Sequence, residues 1–450
     1  MRVAIIGGGL AGMSAAEHLA RLSQSSSNEV SITLFESKRT TGGRAGSFES
    51  KQGGSVDYCQ HVAMGCCHEF INLMDRIGLT ESFERYRELQ FRYPGHAPIR
   101  FAASRWLPPP LHLLPTFARM SYLSLIDRFW IAVAMRRLVQ LPGDAQSTAG
   151  QWLRSNRQSQ ASIERFWEVV VISALGETID RVSTQAMRKV FVDGFLASRD
   201  ASDVWVPNRP LSKLFGDVFP ARLSDLGVNI RANEPVKQIS TKSESEVRID
   251  TAWHTDMVFD RVIMAVPWYR LARLLEGPGD SNLDALAKSA NSIPASPITG
   301  IHLWFDRPWM EQPHAVMVGT LCQWIFNDPI EISPKNLSPP SGAYCQVVIS
   351  ASRSDVLGER SDVIQRVIAE IHAEFPESRN AKLIRSKVVT DPSSVFSVTP
   401  EVEDKRPLTR TSHPSILLAG DWVQTGWPAT MEGAVISGRL AAEACVDGVA

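Results

Sequence analysis

A glycine-rich turn near the N-terminus has the spacing that binds the phosphates of a dinucleotide. Gly7, Gly9 and Gly12 form a G-x-G-x-x-G. The first glycine permits a tight turn, the second lets a pyrophosphate approach the backbone, and the third allows close packing of helix on strand. The phosphates would lie at the N-terminus of the following helix, where backbone N–H groups point at an anion. The motif therefore predicts a nucleotide-binding turn.

The segments around this turn supply the other parts of a nucleotide-binding unit. The apolar run Val3–Ile6 precedes the motif, residues 13–22 have apolar positions at helical spacing, and residues 30–35 form a second apolar run. This order predicts a buried parallel strand, a helix and a second strand. Glu36 follows roughly 20 residues after the last glycine, where an acid accepts hydrogen bonds from a ribose.

A Gly-Gly-Arg after the ribose acid favours FAD as the dinucleotide. Gly43 and Arg44 offer flexible backbone and a cation for a diphosphate. The segment resembles the one that follows the ribose acid in FAD-containing amine oxidases and carotenoid desaturases. Val236 resembles the residue of that superfamily whose backbone contacts the adenine.

The C-terminal region resembles the same superfamily. An apolar strand runs into Gly420 and Asp421, a pair that the resemblance places against the diphosphate and ribityl chain. A small-residue helix starts at Met431 and Glu432, and the resemblance points its N-terminus at the flavin ring, where the helix dipole favours negative charge.

The order of these segments predicts an α/β fold with two domains. We expect a discontinuous Rossmann-type FAD-binding domain and an α+β substrate-binding domain with a helical, membrane-facing segment. The FAD-binding domain comprises residues 1–75, 200–268 and 405–450, and the substrate-binding domain residues 76–199 and 269–404.

The segment from Asp57 to Gly65 narrows the resemblance. It is similar to the Asp-x-Gly-Gln-His-x-x-x-Gly signature of squalene-associated FAD-dependent desaturases, now understood as hydroxysqualene dehydroxylases of squalene and hopanoid synthesis. The Thr-Gly-x-Pro-Ala-Thr ending at Thr430 fits that family, and the resemblance covers essentially the whole chain. Two positions depart from the pattern, since Cys59 stands where Gly is usual and Gly176 where Asn is frequent.

The resemblance implies reductive dehydroxylation of hydroxysqualene to squalene, in which an allylic hydroxyl leaves as water and a hydride quenches the allylic cation. The oxygen needs a proton donor, and the cation needs an apolar, aromatic pocket. We predict His61 as donor or orienter and Asp57, four residues earlier, as its partner; the alternative is that both hold the loop and the flavin. Trp427 and Thr430 are assigned to the substrate pocket, which would use part of the excess of 12 Trp over 6 Tyr.

Composition restricts the partners. A net charge of −1 offers no global basic field for nucleic acid. Six scattered cysteines without metal-ligand spacing predict reduced structural thiols, no metal and a cytoplasmic protein. The aromatic and arginine-rich residues 115–141 suggest peripheral contact with the inner face of the cytoplasmic membrane, with a core helix as the alternative. The expected substrate is an apolar isoprenoid, and a single G-x-G-x-x-G leaves the electron donor open.

Three other functions remain possible interpretations. Carotenoid-type dehydrogenation would run the flavin in the oxidative direction. An amine oxidase commonly has an aromatic residue directly before Met-Glu-Gly, where this chain has Thr430. A non-enzymatic isoprenoid-binding relative would not need the intact flavin motifs.

Overall fold

A computed structural model of the chain describes residues 1–25, 29–49, 55–143, 146–275, 280–328 and 342–447. The strands are β1 (Arg2–Ile6), β2 (Ser31–Phe35), β3 (Ser47–Glu49), β4 (Ser55–Asp57), β5 (Ala63–Met64), β6 (Phe83–Tyr86), β7 (Glu88–Arg92), β8 (Ile99–Ala102), β9 (Val204–Pro207), β10 (Asn229–Arg231), β11 (Val236–Ser243), β12 (Glu246–Thr251), β13 (Met257–Phe259), β14 (Arg261–Met264), β15 (Ala295–Phe305), β16 (His314–Met317), β17 (Trp324–Asp328), β18 (Ala343–Ser350), β19 (Leu383–Phe396) and β20 (Ile416–Leu418).

The α-helices are α1 (Leu10–Ser25), α2 (His68–Arg76), α3 (Leu114–Ala118), α4 (Leu125–Val139), α5 (Ala149–Ser155), α6 (Gln160–Ser162), α7 (Glu168–Leu175), α8 (Thr184–Arg188), α9 (Phe219–Asp225), α10 (Trp268–Leu275), α11 (Ser281–Asn291), α12 (Ser354–Leu357), α13 (Arg360–Glu374), α14 (Pro400–Glu403) and α15 (Met431–Val446). Segments of π-helix span Ile163–Trp167, Lys189–Leu196 and Ser212–Val218. Short 3₁₀ segments span Thr80–Ser82, Leu111–Leu113 and Pro376–Asn380.

A parallel sheet in the order β10-β2-β1-β14-β20 forms the nucleotide-binding half. Its central strands are continuous apolar runs with nearly every side chain buried, as a sheet covered on both faces requires. These strands come from the N-terminal, middle and C-terminal parts of the chain. The predicted α/β class is confirmed, and the domain boundaries stay a prediction.

Helices α1 and α15 pack against each other at very short range. A Cβ added at Gly438 would lie 2.3 Å from the carbonyl oxygen of Ala11, so a glycine at this point of α15 allows the close approach. The contact brings the C-terminal helix beside the helix that follows the glycine-rich turn. Segments more than 400 residues apart thereby meet, as the Ser14 hydroxyl shows by donating to the Val435 carbonyl at 2.9 Å.

A mixed sheet in the order β19-β15-β18-β17-β16-β7-β8 forms the second half. One of its faces carries Ile301, Leu303 and Val347 and packs with the apolar side of α13 in a separate core. Along β15 the opposite face carries Gly300, His302 and Trp304, because side chains alternate along a strand. This second face lies against the segment around Tyr58, whose carbonyl oxygen would be 2.8 Å from a Cβ at Gly300.

Among the described residues, no helix is both long and apolar enough to cross a membrane.

Candidate functional site

The glycine-rich turn has the tight geometry that its motif predicts. Gly7 has φ +113°, and a Cβ at Gly12 would lie 1.9 Å from the Gly7 carbonyl oxygen. At Gly9, by contrast, a Cβ would meet nothing closer than the Gly43 Cα at 4.0 Å. The backbone itself therefore requires the first and third glycines, whereas the second borders open space, as it would if a diphosphate filled that space.

Glu36 lies against this turn at the end of β2. Its buried carboxylate accepts hydrogen bonds from Gly8 N–H and Lys38 N–H, both at 2.8 Å. The Glu234 N–H donates to the Glu36 carbonyl at 2.9 Å, which brings the start of β11 and its first residue, Val236, toward the same end of the sheet. Glu36 and Val236 thus occupy the end at which the ribose and adenine of a dinucleotide would bind.

An ion pair joins the Gly-Gly-Arg segment to the C-terminal motif. The Arg44 guanidinium donates to the Asp421 carboxylate at 2.5 Å and to the Ser394 carbonyl at 2.7 Å. Burial disfavours the guanidinium charge, but the neighbouring Asp421 raises the pKa of Arg44 overall. Gly420, with φ +145°, turns the chain after β20 so that Asp421 reaches this point.

These residues fit the diphosphate of FAD. Gly9 and Gly43 border the same open space at the start of α1, and Arg44 follows directly in the chain. A cation together with a helix N-terminus favours an anion. Gly9, Gly43 and Arg44 are therefore the residues that would hold the diphosphate, and the Asp421 carboxylate would hold the Arg44 side chain.

The structure separates the predicted pair Asp57 and His61. The Asp57 carboxylate accepts hydrogen bonds from the Ser47 hydroxyl at 2.6 Å and the Leu211 N–H at 2.9 Å. His61 instead uses Nδ1 to bond the Cys59 carbonyl at 2.9 Å. The prediction that Asp57 is the partner of His61 is wrong, because β4 ends at Asp57 and the following residues are not helical, so the four-residue spacing does not align the two side chains. Asp57 instead fixes the loop, and burial raises its pKa to about 6.

His61 lies beside the Arg44 end of the site. Burial lowers the pKa of His61, and the Arg44 charge lowers it further, against the opposing effect of the Cys59 carbonyl. Burial likewise raises the pKa of Cys59 to about 12. Both side chains nevertheless keep part of their accessible surface. His61 and Cys59 are thus half-buried and not sealed in the core.

Two predicted residues at the start of α15 have structural roles. The Thr430 hydroxyl accepts the Gly433 N–H at 3.1 Å and caps the helix. The buried Glu432 carboxylate accepts from the Glu69 and Phe70 N–H groups at 3.0 and 2.7 Å. Both bonds cap α2, and burial raises the pKa of Glu432 to about 7. Its assignment to cofactor binding stays a prediction. Met431, half-buried, is the first residue of α15.

The two tryptophans of the C-terminal loop differ in environment. Trp422 is fully buried in the core and donates to the Val266 carbonyl at 2.9 Å. Trp427 is half-buried, and the Lys189 ammonium lies 4.6 Å from the centre of its ring. Trp427 therefore keeps an accessible aromatic surface next to α15.

A row of rings lies on one face of the second sheet, and it includes Trp304, Trp324 and Phe326, which the sequence offers as pocket aromatics. Trp304 and Tyr344 lie 5.1 Å apart, Trp324 and Phe326 stack at 5.5 Å, and His314 lies 6.1 Å from Trp324. We call these rings, with His302, the aromatic face. Aromatic and imidazole side chains alternate with other residues along β15 and β17, and this alternation is visible in the sequence. That the rings of different strands lie side by side follows only from the order of the strands in the sheet.

All six cysteines are free thiols, as predicted. No cluster of His, Cys, Asp and Glu that could hold a metal ion occurs within the described ranges.

A parallel sheet with this glycine-rich turn at its edge, and an acid at the end of its second strand, defines a dinucleotide-binding protein. The family model of the flavin containing amine oxidoreductases matches residues 10–446, and the chain belongs to that family. It is an FAD-dependent oxidoreductase, as the predicted cofactor required.

Relatives share the whole length at low identity. A probable zeta-carotene desaturase of Synechococcus elongatus is 26% identical over 99% of this chain and 99% of its own. A 15-cis-phytoene desaturase of Narcissus pseudonarcissus is 23% identical over 99% of this chain and 79% of its own. An oxidoreductase of Methanosarcina mazei has a similar fold, with a TM-score of 0.72 at 18% identity over 98% of this chain and 100% of its own.

Proposed function

We propose that the protein reduces hydroxysqualene to squalene. The allylic C–O bond breaks as the oxygen takes up a proton and leaves as water, and a hydride forms the new C–H bond. Bound FAD in its reduced form would supply that hydride and become oxidised, so an electron donor must reduce it again before the next turnover. The observation that carries the proposal is the aromatic face against the loop that leads to His61, because an allylic cation needs such a surface.

The aromatic face suits a cation that must be kept from water. Rings attract a positive charge by about 0.5–2 kcal/mol each when the site is desolvated. Gly300 and His302 of this face lie against the segment from Tyr58 to Cys59, two residues before His61. Most of these rings are buried, and the Arg385 guanidinium already lies 4.6 Å from the centre of the Trp304 ring. Trp324, which is half-buried, is therefore the ring of this face that offers accessible surface to a cation.

Helix α7 extends the apolar environment. Its side chains are apolar on nearly all sides, and Val169, Val170, Ile172 and Ala174 all remain half-buried. The Trp324 indole N–H donates to the Ser173 hydroxyl at 2.8 Å, so this helix lies against the aromatic face. Apolar side chains that stay accessible at this contact would fit a long hydrocarbon.

His61 would handle the proton at the oxygen. With the Nδ1 proton on the Cys59 carbonyl, Nε2 is the nitrogen that can deliver a second proton. Because burial and Arg44 lower the pKa of His61, the protonated form grows as the pH falls. The reductive rate should therefore rise toward acid pH.

We also propose that the substrate comes from the cytoplasmic membrane. Trp106, Leu125 and Ile126 are 92%, 78% and 71% exposed. Leu111, Leu114 and Phe129 are exposed as well, so six large apolar side chains between residues 106 and 129 face solvent. Where such side chains lie together, they mark an interaction surface. Exposed arginines at 119, 136 and 137 would meet anionic headgroups on the inner face of the membrane.

Helix α4 has features of both alternatives for residues 115–141, membrane contact and a helix of the protein core. Its side chains Ile131, Ala134 and Leu138 are buried in the core, whereas Leu125, Ile126 and Phe129 at its start are exposed. The helix therefore belongs to the core along one side and presents apolar side chains outward at one end.

The second candidate function is oxidative desaturation of an isoprenoid. Two observations favour it. The curated relatives above are carotenoid desaturases, and the lowered pKa leaves His61 neutral near pH 7, with a free lone pair on Nε2 for a proton. In that direction the rate should rise with pH.

One experiment separates the two directions. Dithionite-reduced protein is incubated anaerobically with hydroxysqualene in detergent, while the flavin spectrum and squalene are followed. Squalene that appears as the flavin reoxidises supports dehydroxylation. No squalene here, together with phytoene dehydrogenation by the oxidised protein, would overturn the assignment in favour of desaturation.

A further inference from the structure

A buried polar cluster on the aromatic face reaches the backbone that holds His61. The Tyr344 hydroxyl lies 2.8 Å from Nδ1 of His302, and the Gln346 amide nitrogen lies 3.1 Å from the same atom. The Gln346 amide also donates to the Asp57 carbonyl at 3.4 Å. Three side chains from β15 and β18 thus meet the chain at the end of β4.

The Gln346 amide nitrogen can only donate, so Nδ1 of His302 is the acceptor and the ring proton resides on Nε2. Burial, and then the Lys387 ammonium, lower the pKa of His302 to about 3, with Arg385 acting in the same direction and the Tyr58 carbonyl opposing them. The ring is therefore neutral, and its Nε2 side faces the Tyr58 carbonyl.

The strand carrying this cluster approaches the loop closely. A Cβ at Gly300 would lie 2.8 Å from the Tyr58 carbonyl oxygen and 3.6 Å from the Cys59 Cα. The next carbonyl along the loop, that of Cys59, bonds His61 Nδ1 at 2.9 Å. Sheet, loop and imidazole thus form one connected series of contacts.

We propose that Tyr344, His302 and Gln346 are positioning residues that hold the Asp57–Cys59 backbone and so set the orientation and tautomer of His61. They act through the loop and do not themselves touch the reacting atoms. The proposal rests on the catalytic role assigned to His61 above.

The positions of the three residues explain why polar groups occur in an aromatic face. A buried polar side chain costs stability unless it is hydrogen-bonded. Here the hydrogen bonds link two elements that are distant in sequence, Asp57 and Gln346 being 289 residues apart. Apolar substitutes could fill the same volume but would leave the loop carbonyl without a donor.

The test uses holoenzyme labelled with ¹³C and ¹⁵N in histidine, in which NMR reports the pKa and tautomer of His61. The His61 signal is identified by its absence in His61→Ala. The variants are Gln346→Leu, which removes the amide donor, and Tyr344→Phe, which removes only a hydroxyl. The matched control is Thr299→Val, a buried hydrogen-bond loss on the other face of β15, where Thr299 bonds Ser352 and Thr390.

We expect both variants to bind FAD normally and to lower the pKa of His61, since the Cys59 carbonyl that raises it would be held less firmly. The kcat should fall about 10- to 100-fold with little change in KM, because small misplacements of a catalytic group have effects of that size. Thr299→Val should leave the pKa of His61 unchanged.

An unchanged pKa and tautomer of His61 in both variants would overturn the proposal. An equal pKa shift in Thr299→Val would overturn it as well, since general loosening would then be the cause. If wild type forms no squalene but the His61 shift still occurs, the positioning role is supported and the proposed reaction is not.

Discussion

Replacing Gly9 by alanine distinguishes a glycine that is required for apoprotein stability from one that is required for FAD affinity. A Cβ at Gly9 would meet only the Gly43 Cα, at the ordinary contact distance of 4.0 Å. The same change at Gly12 would place a Cβ 1.9 Å from the Gly7 carbonyl oxygen, where real contacts stay above 3.0 Å. Gly9→Ala should therefore change the conformation of the turn in the apoprotein little, and Gly12→Ala should change it strongly.

The magnitudes follow from these distances. Gly9→Ala should change the unfolding free energy of the apoprotein by no more than about 0.5 kcal/mol. Gly12→Ala must move helix α1 by about 1 Å, and overpacking of this kind costs about 1–3 kcal/mol. In Gly9→Ala the new methyl would occupy the path of the pyrophosphate. We expect FAD affinity to fall about 10- to 100-fold, equivalent to about 1.4–2.8 kcal/mol.

The assay has two parts. Thermal unfolding of deflavinated protein, followed by circular dichroism, measures the fold, and fluorescence titration with FAD measures affinity. Wild-type FAD affinity in Gly9→Ala would show that the diphosphate does not cross the turn at Gly9. A large loss of apoprotein stability in that variant would show that the backbone, and not the ligand, requires this glycine.

Further predictions concern the imidazole, the exposed surface and one buried ion pair. His61→Ala should keep bound FAD but lose most turnover, and unchanged turnover would show that His61 has no catalytic role. In wild type, the dehydroxylation rate should fall as the pH rises, and a rate that rises with pH would contradict His61 as the proton donor. The double substitution Leu125→Ser and Ile126→Ser should reduce flotation of the protein with anionic liposomes. The control Leu408→Ser, at an exposed leucine (67%) elsewhere on the surface, should not reduce it. Wild-type apo- and holoprotein that both stay in the soluble fraction would refute membrane contact. Glu177→Gln should lower the unfolding free energy by about 2–3 kcal/mol, somewhat less than for a fully buried pair, because the Arg353 side chain that it binds at 2.6 Å is 27% exposed. Burial raises the pKa of Glu177, but the Arg353 hydrogen bond and charge lower it overall. The stabilisation should therefore be present above the pKa of Glu177 in the unfolded chain and be lost as the pH falls below about 4. A Glu177→Gln variant as stable as wild type in thermal melts at pH 7 would contradict this prediction.

The nucleotide-binding half could be predicted from sequence because its signals are local. Strands buried on both faces are continuous apolar runs, and the predicted run Val3–Ile6 corresponds to β1 at Arg2–Ile6. The helix expected at Met431 begins there, since Thr430 caps it. Turn geometry, helix starts and buried strands each depend on a few consecutive residues, so a single sequence contains them.

Partnerships between distant side chains could not be predicted in this way. Arg44 and Asp421 meet across 377 residues, and Glu432 caps a helix 362 residues away. Neither spacing nor residue type identifies such partners, because the contact exists only when both segments reach the same end of a sheet. Asp57 and His61 are the reverse case. They are close in sequence, but their side chains bond different partners because β4 ends between them.

By itself, then, the sequence determined the phosphate-binding turn, which is formed by the conformations of its own glycines, and the resemblance of its motifs indicated FAD. Only the tertiary structure decided which nitrogen of His61 bonds the Cys59 carbonyl, that Glu432 caps α2, and that rings from four strands form one face beside the loop at Tyr58. The reason is physical: protonation state and pocket shape depend on the burial and charge that surround a group, and those arise from packing of segments far apart in the chain.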